Sequence, residues 1–212
     1  MGVNKDYVER VIQFCRCPKY LSELQQLRMV GESWDGLDVL DVGGGIGVAA
    51  AAMVAWGANV WMVDSSLDML DYACLQKGIK VEFGEAECLP YDNGQFDRVT
   101  MIHALGHFDN MARALAEAWR VLKPGGQIMI LSPNRLYDYW MKPLNWLGIV
   151  SYQSDPTMKR YLTMWGLRHA LRKHGFVAVW GECFGQWPDL LWWKQGGLGQ
   201  CWLERLLMVG EK

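Results

Sequence analysis

Residues 39–47 read VLDVGGGIG, and the next apolar run, ANVWMVD over 58–64, ends on a carboxylate. The first stretch predicts a strand that opens through a glycine-rich turn into the helical run VAAAAMVAW. Glycines at 43, 44, 45 and 47 let the backbone approach a ligand closely and accept positive φ without steric penalty. An acidic residue about 20 positions on, at the tip of the second strand, is where ribose hydroxyls are held. Asp64 stands there. The pattern suits a nucleoside ligand.

Which nucleoside follows partly from spacing. A G-x-G-x-x-G dinucleotide fingerprint begun at Gly43 and Gly45 needs a glycine where the chain has Val48. Only the looser form ending in alanine fits, as Gly45-x-Gly47-x-x-Ala50, which weakens a dinucleotide reading without excluding it. Asp41, two residues before the first glycine, would repel a pyrophosphate and receive an ammonium group. A ligand with a ribose, an adenine and a cationic amino-acid tail matches that charge arrangement.

Working outward, Tyr7 to Val30 is read as helical, divided by Pro18. Its apolar face is expected to carry Val8, Val11, Ile12, Cys15, Leu21, Leu24 and Leu27. Strands are expected at 38–42, 58–64, 79–84, 96–103 and 127–132, and helices at 47–56, 66–77 and 110–122. Ser65 with Asp68 resembles a capping box, and Asp109 is expected to cap a helix whose Met111, Leu115, Trp119 and Leu122 share a face. Lys123-Pro124-Gly125-Gly126 is read as a turn. Alternating strands and helices argue for a parallel sheet covered on both faces. Residues 133–160 show no sustained period; a helix from Thr163 to His174 follows, then strands at 176–182 and 204–210.

The chain has 212 residues, enough for one domain with a full-sized core, and a net charge of −2 with no basic excess for nucleic acid. Six scattered cysteines form no C-x-x-C pair, so no disulfide framework is expected, and Cys15 and Cys17 read as helix thiols rather than metal ligands. No metal is called for. The charged N-terminus does not resemble a signal peptide, the longest apolar run (48–63) is too short to span a membrane, and the cytoplasm is the expected setting. Of the 12 tryptophans, Trp56, Trp61, Trp119 and Trp180 are expected in the core. Trp187, Trp192, Trp193 and Trp202 suit a pocket wall, a dimer contact or, less well, a peripheral membrane contact.

Three further motifs follow the glycine loop: VDSSLDML (63–70), GEAECLPYDNGQFD (84–97) and LAEAWRVLKPGGQIMIL (115–131). In this order the four resemble the class I S-adenosylmethionine-dependent methyltransferases, in particular the small-molecule branch that includes the ubiquinone/menaquinone biosynthesis type. The likeness is close over 38–132 and looser over 163–212. It implies an α/β fold: a Rossmann-like, doubly wound, seven-stranded, mostly parallel sheet with helices on both faces. It also implies an N-terminal helical lid (1–36) before an S-adenosylmethionine-binding domain (37–212), with substrate-site insertions at 133–160 and 183–203.

The resemblance assigns Asp41, Gly43, Gly45 and Gly47 to the methionine end of S-adenosylmethionine and Asp64 to the ribose diol. Ser65 and Met69 fall near the adenine. Glu85 stands where the family usually has Asp, accepting from the adenine amino group, with Ala86 beside it and Glu87 as a rival. Met101 or Ile102 would lie by the methionine chain and methyl group.

His103 and His107, at the end of the fourth strand, are candidate proton acceptors. Simple packing is the alternative, and the family often carries His at the position of His107. His169 and His174 read as surface residues. Tyr137, Tyr139, Trp140 and Trp146 offer aromatic walls. The expected activity is methyl transfer to a small apolar or aromatic metabolite, giving S-adenosylhomocysteine, by a monomer or homodimer. The alternatives are a non-catalytic cofactor- or partner-binding protein of this fold, or a non-methylating enzyme using the same cofactor; Asp41 counts against an NAD-type oxidoreductase.

Overall fold

Strands that are apolar on both sides need helices on both faces, and the chain supplies them alternately. A computed structural model describes residues 5–134, 139, 142–144, 146, 147, 157–160, 162–184 and 205–212. Its strands are β1 (Asp38–Val42), β2 (Asn59–Asp64), β3 (Ile79–Phe83), β4 (Phe96–Ile102), β5 (Leu122–Pro133), β6 (Val177–Phe184) and β7 (Arg205–Glu211). They form one sheet in the order β3-β2-β1-β4-β5-β7-β6. The first five run parallel, and β7 is antiparallel to both of its neighbours. The expected seven-stranded, mostly parallel α/β sheet is present.

Two cores flank it. On one face α5 (Met111–Val121) and α6 (Met164–Lys173) bury Leu115, Ala118, Leu167 and Leu171 against Leu40 and Val42 of β1. On the other, α2 (Pro18–Val30), α3 (Val48–Ala55) and α4 (Leu67–Ala73) bury Leu24, Leu27, Met53 and Leu70 against Val39 and Met62. Alternation along β1 therefore turns Asp41, in phase with Val39, toward the second core. Helix α1 (Lys5–Cys15) packs Val8 on Ile46 of the glycine turn and Met69 of α4.

Several local expectations need correction. Ser66, not Ser65, caps α4, its Oγ accepting from Met69 N–H at 3.3 Å. Asn110, not Asp109, caps α5, accepting from Arg113 N–H at 3.1 Å, while Asp109 pairs with Lys159. The buried face of α5 is Ala114, Leu115, Ala118 and Val121, which leaves Trp119 exposed beneath the Lys212 ammonium. On α2, Leu21 is exposed and Glu23 takes a buried place. Lys123–Gly126 is not a separate turn: the register jumps from Phe96↔Leu122 to Arg98↔Gln127, so these residues bulge within β5.

Of the four tryptophans assigned to the core, Trp56 and Trp61 are half-buried against it, and Trp119 and Trp180 are exposed. Among the described residues, the fully buried tryptophan is Trp34, at 2% exposure. Its Nε1 donates to Arg28 C=O at 3.2 Å, and the Arg98 guanidinium lies 4.3 Å over its ring. Trp187, Trp192, Trp193 and Trp202 lie outside the described residues. Trp34→Ala removes a buried ring and the contact it makes with the Arg98 guanidinium, so it should cost about 3–5 kcal/mol, read as a lower urea midpoint.

Candidate functional site

The sheet order reverses between β1 and β4, and open α/β sheets place their ligands at the carboxyl ends of such strands. There β1 runs into the glycine turn. Gly43, Gly45 and Gly47 all have positive φ, and α3 starts directly after Gly47. At Gly43 a Cβ would sit 2.6 Å from Ala104 Cβ, and at Gly44 one would sit 2.4 Å from Met62 Cγ and 2.8 Å from Asp41 Oδ2. Side chains at these two positions would collide with β2 and with the segment after β4, or close the space above Asp41.

Asp64 at the tip of β2 fixes this turn. Its Oδ2 accepts from Gly45 N–H at 2.8 Å and its Oδ1 from Ser66 N–H at 2.9 Å. Burial raises its pKa, against the opposing pull of the Ser66, Gly45 and Ser65 amides and of nearby His107. Each carboxylate oxygen keeps acceptor capacity beyond these two bonds.

Asp41 is 1% exposed; Thr100 Oγ1 donates to its Oδ1 at 2.7 Å, and Oδ2 has no partner among the described residues. Burial pushes its pKa up to about 7, with the Thr100 bond opposing and the Asp64 charge adding to the rise. An orphaned buried acceptor beside a bare glycine turn is a place for a cation or an N–H donor. That chemistry fits the ammonium of an amino-acid tail.

The remaining predicted residues fall around this centre unevenly. Met69 is buried under α1, Ala86 is buried, and Glu85 and Ser65 are exposed. Glu87 accepts from Asn110 N–H at 2.9 Å, a bracing role at the start of α5. Met101 and Ile102 are buried at the end of β4.

His103 follows in the left-handed region at φ 55, a strained place for a non-glycine residue. Its N–H donates to Leu131 C=O at 2.7 Å, its Nε2 lies 2.7 Å from Glu23 Oε2, and its ring meets Phe14 edge-on and Tyr20. His107 is half-buried, with Nδ1 3.3 Å from Thr157 C=O. Tyr139 and Trp146 are exposed, and Tyr137 and Trp140 lie outside the described residues.

The sequence reading missed Thr100, Tyr20, Glu23 and Arg205. Glu23 had a signal: it sits among Tyr20, Leu24 and Leu27 on the apolar stripe of α2. Among the described residues, no helix is long and apolar enough to cross a membrane.

Known proteins share both the motifs and the architecture. Residues 40–130 match the methyltransferase-domain family. Over 143 residues the chain is 36% identical to a ubiquinone/menaquinone biosynthesis C-methyltransferase of Ralstonia pickettii, covering 60% of this chain and 58% of that protein. It is 30% identical over 161 residues to a chloroplastic 2-methyl-6-phytyl-1,4-hydroquinone methyltransferase of Oryza sativa, covering 67% and 48%. The chain thus spans about half the length of these curated relatives. A solved S-adenosylmethionine-dependent methyltransferase from Archaeoglobus fulgidus superposes with a TM-score of 0.76 at 20% identity, covering 97% of this chain and 100% of that one. The chain therefore has the fold of the class I S-adenosylmethionine-dependent methyltransferases, and its residues 40–130 are similar to the methyltransferase-domain family. The cofactor this class implies is S-adenosylmethionine.

Because the folded pKa of Asp41 lies above its ordinary value of 3.8, the protein without ligand should lose stability as pH rises from there through about 7. Asp41→Asn should flatten that loss, giving a higher melting temperature than wild type at alkaline pH. The same substitution should weaken S-adenosylhomocysteine binding in calorimetry.

Proposed function

We propose that the chain transfers a methyl group from S-adenosylmethionine to a small apolar or aromatic metabolite in the cytoplasm. The observation that carries this reading is the orphaned Asp41 oxygen beside the glycine turn, one strand from Asp64. Asp41 and the turn of Gly43, Gly45 and Gly47 would take the amino-acid tail. Asp64 would hold the ribose diol, with Ser65, Met69, Glu85 and Ala86 around the adenine and Met101 by the methionine chain.

When bound, S-adenosylmethionine supplies a methyl on a positively charged sulfur, the carbon–sulfur bonding pair returning to sulfur as the acceptor's lone pair takes the methyl. The chain's share is to position, to exclude water and to receive the acceptor's proton. His103 is the favoured proton acceptor, since it stands at the ligand end of β4 in strained backbone. His107 is the second candidate. Helices α1 and α2 act as a lid: α1 packs on Ile46 and Met69, and α2 places Tyr20 and Glu23 on His103. The relatives are a ubiquinone/menaquinone biosynthesis C-methyltransferase and a 2-methyl-6-phytyl-1,4-hydroquinone methyltransferase, so short-chain alkyl hydroquinones head the acceptor panel.

Incubation with radiolabelled S-adenosylmethionine and that panel should label an extractable product. Binding of the cofactor without any transfer would favour a non-catalytic protein. Asp64→Ala should weaken S-adenosylhomocysteine binding by roughly 10²-fold in calorimetry, since it deletes charge-assisted bonds and orphans Gly45 N–H. His103→Asn should leave that binding intact and slow turnover by roughly 10²-fold or more; an undiminished rate would transfer the role to His107 or to positioning alone.

A further inference from the structure

One carboxylate joins the N-terminal helices to the site. Glu23 of α2, 2% exposed, lies 2.7 Å from His103 Nε2 through Oε2, and its Oε1 accepts from Arg205 Nε of β7 at 2.6 Å. Three residues on, Gln26 Nε2 donates to Glu182 of β6 at 2.8 Å. His103 Nδ1 has no partner among the described residues.

From this geometry we propose that Glu23 is a positioning residue, which accepts the Nε2 proton of His103 and so keeps the Nδ1 lone pair available for the acceptor's proton. The proposal rests on the reading of His103 as proton acceptor. In the step it serves, the proton leaves the acceptor's heteroatom or ring carbon for Nδ1 while the freed electron pair stays with the acceptor. His103 then carries both protons and returns one to solvent.

The charges around the ring favour this assignment. Glu23 faces it from α2 and Arg205 stands on the far side of that carboxylate; His107 comes from the loop after β4. Tyr20 comes from α2, and Cys15 of α1 lies beside Tyr20 and Glu23. Burial lowers the pKa of His103; the Glu23 bond and charge oppose this, and Arg205 and His107 push it down further. For Glu23, burial works to raise the pKa, but the His103 bond and charge and the Arg205 charge bring it below its ordinary value. The resting pair is therefore a carboxylate and a neutral imidazole. A guanidinium on the second oxygen stops Glu23 from holding a protonated ring as a simple ion pair.

The test is nitrogen-15 NMR of the full chain, with the His103 signals among the four histidines identified by their loss in His103→Asn. The protein is titrated between about pH 5 and pH 8, with and without S-adenosylhomocysteine. The expected result is a neutral Nε2–H tautomer over the upper part of that range. Glu23→Gln, able to turn its amide and donate, should bring in the Nδ1–H tautomer. If Glu23→Gln does not fold, Glu23→Asp makes the same comparison with a withdrawn carboxylate. A ring that stays doubly protonated to pH 8, a wild-type Nδ1–H tautomer, or a variant spectrum identical to wild type would each overturn the proposal. If the spectra behave as expected while His103→Asn methylates its acceptor at the wild-type rate, the proton-acceptor reading alone falls.

Discussion

The hydrogen bond from Gly45 N–H to the carboxylate of Asp64, beside the one from Gly43 N–H to Val63 C=O at 2.8 Å, fixes the place where β1 leaves the sheet. The turn above β1 needs left-handed backbone at three glycines and is closed locally by the bond from Gly47 N–H to Gly44 C=O at 3.0 Å. Asp64 supplies the restraint from the neighbouring strand, and through its other oxygen it also sets the first residues before α4. One side chain thus registers β1, β2, α3 and α4 at the same end of the sheet. Everything else at the site is measured from there.

That arrangement concentrates acidity. Asp41 and Asp64 occupy neighbouring strands, and Glu23 is buried on the helix above. The three are treated differently. Asp64 is satisfied by amides, Glu23 by His103 and Arg205, and Asp41 by a hydroxyl on one oxygen only. The incomplete one lies deepest, where an unmet acceptor is most costly. A fold that keeps such a group holds binding energy in reserve at the expense of its own stability.

Much of this was legible in the sequence, because it depends on local chemistry. The strand edges at 38–42, 58–64 and 79–84 follow from apolar runs between glycines and charges, and the structure places them within a residue. Asp41 and Asp64 could be named because backbone spacing alone fixes strand tips relative to a glycine turn. What depended on packing was less legible. Cap choices between Ser65 and Ser66, or Asp109 and Asn110, turn on which residue stands one place nearer the first helical amide. Trp119 and Trp180 matched an apolar pattern yet lie exposed, since Ala114, Ala118 and the strands had already filled the interior. The Glu23–His103–Arg205 cluster joins residues 80 and 182 positions apart in the chain, and no local pattern links them.

The strand order also bears on how the chain acquires its shape. The last strand in sequence lies between β5 and β6, so β6 touches the sheet only through β7. As the polypeptide emerges during synthesis, α6 and β6 appear before the partner that will anchor them. Until then the apolar edge of β5, from Gln127 to Leu131, is open for pairing. An unpaired edge of this kind invites association between nascent chains. The five parallel strands can collapse early, but closure of the sheet waits for residues 205–211.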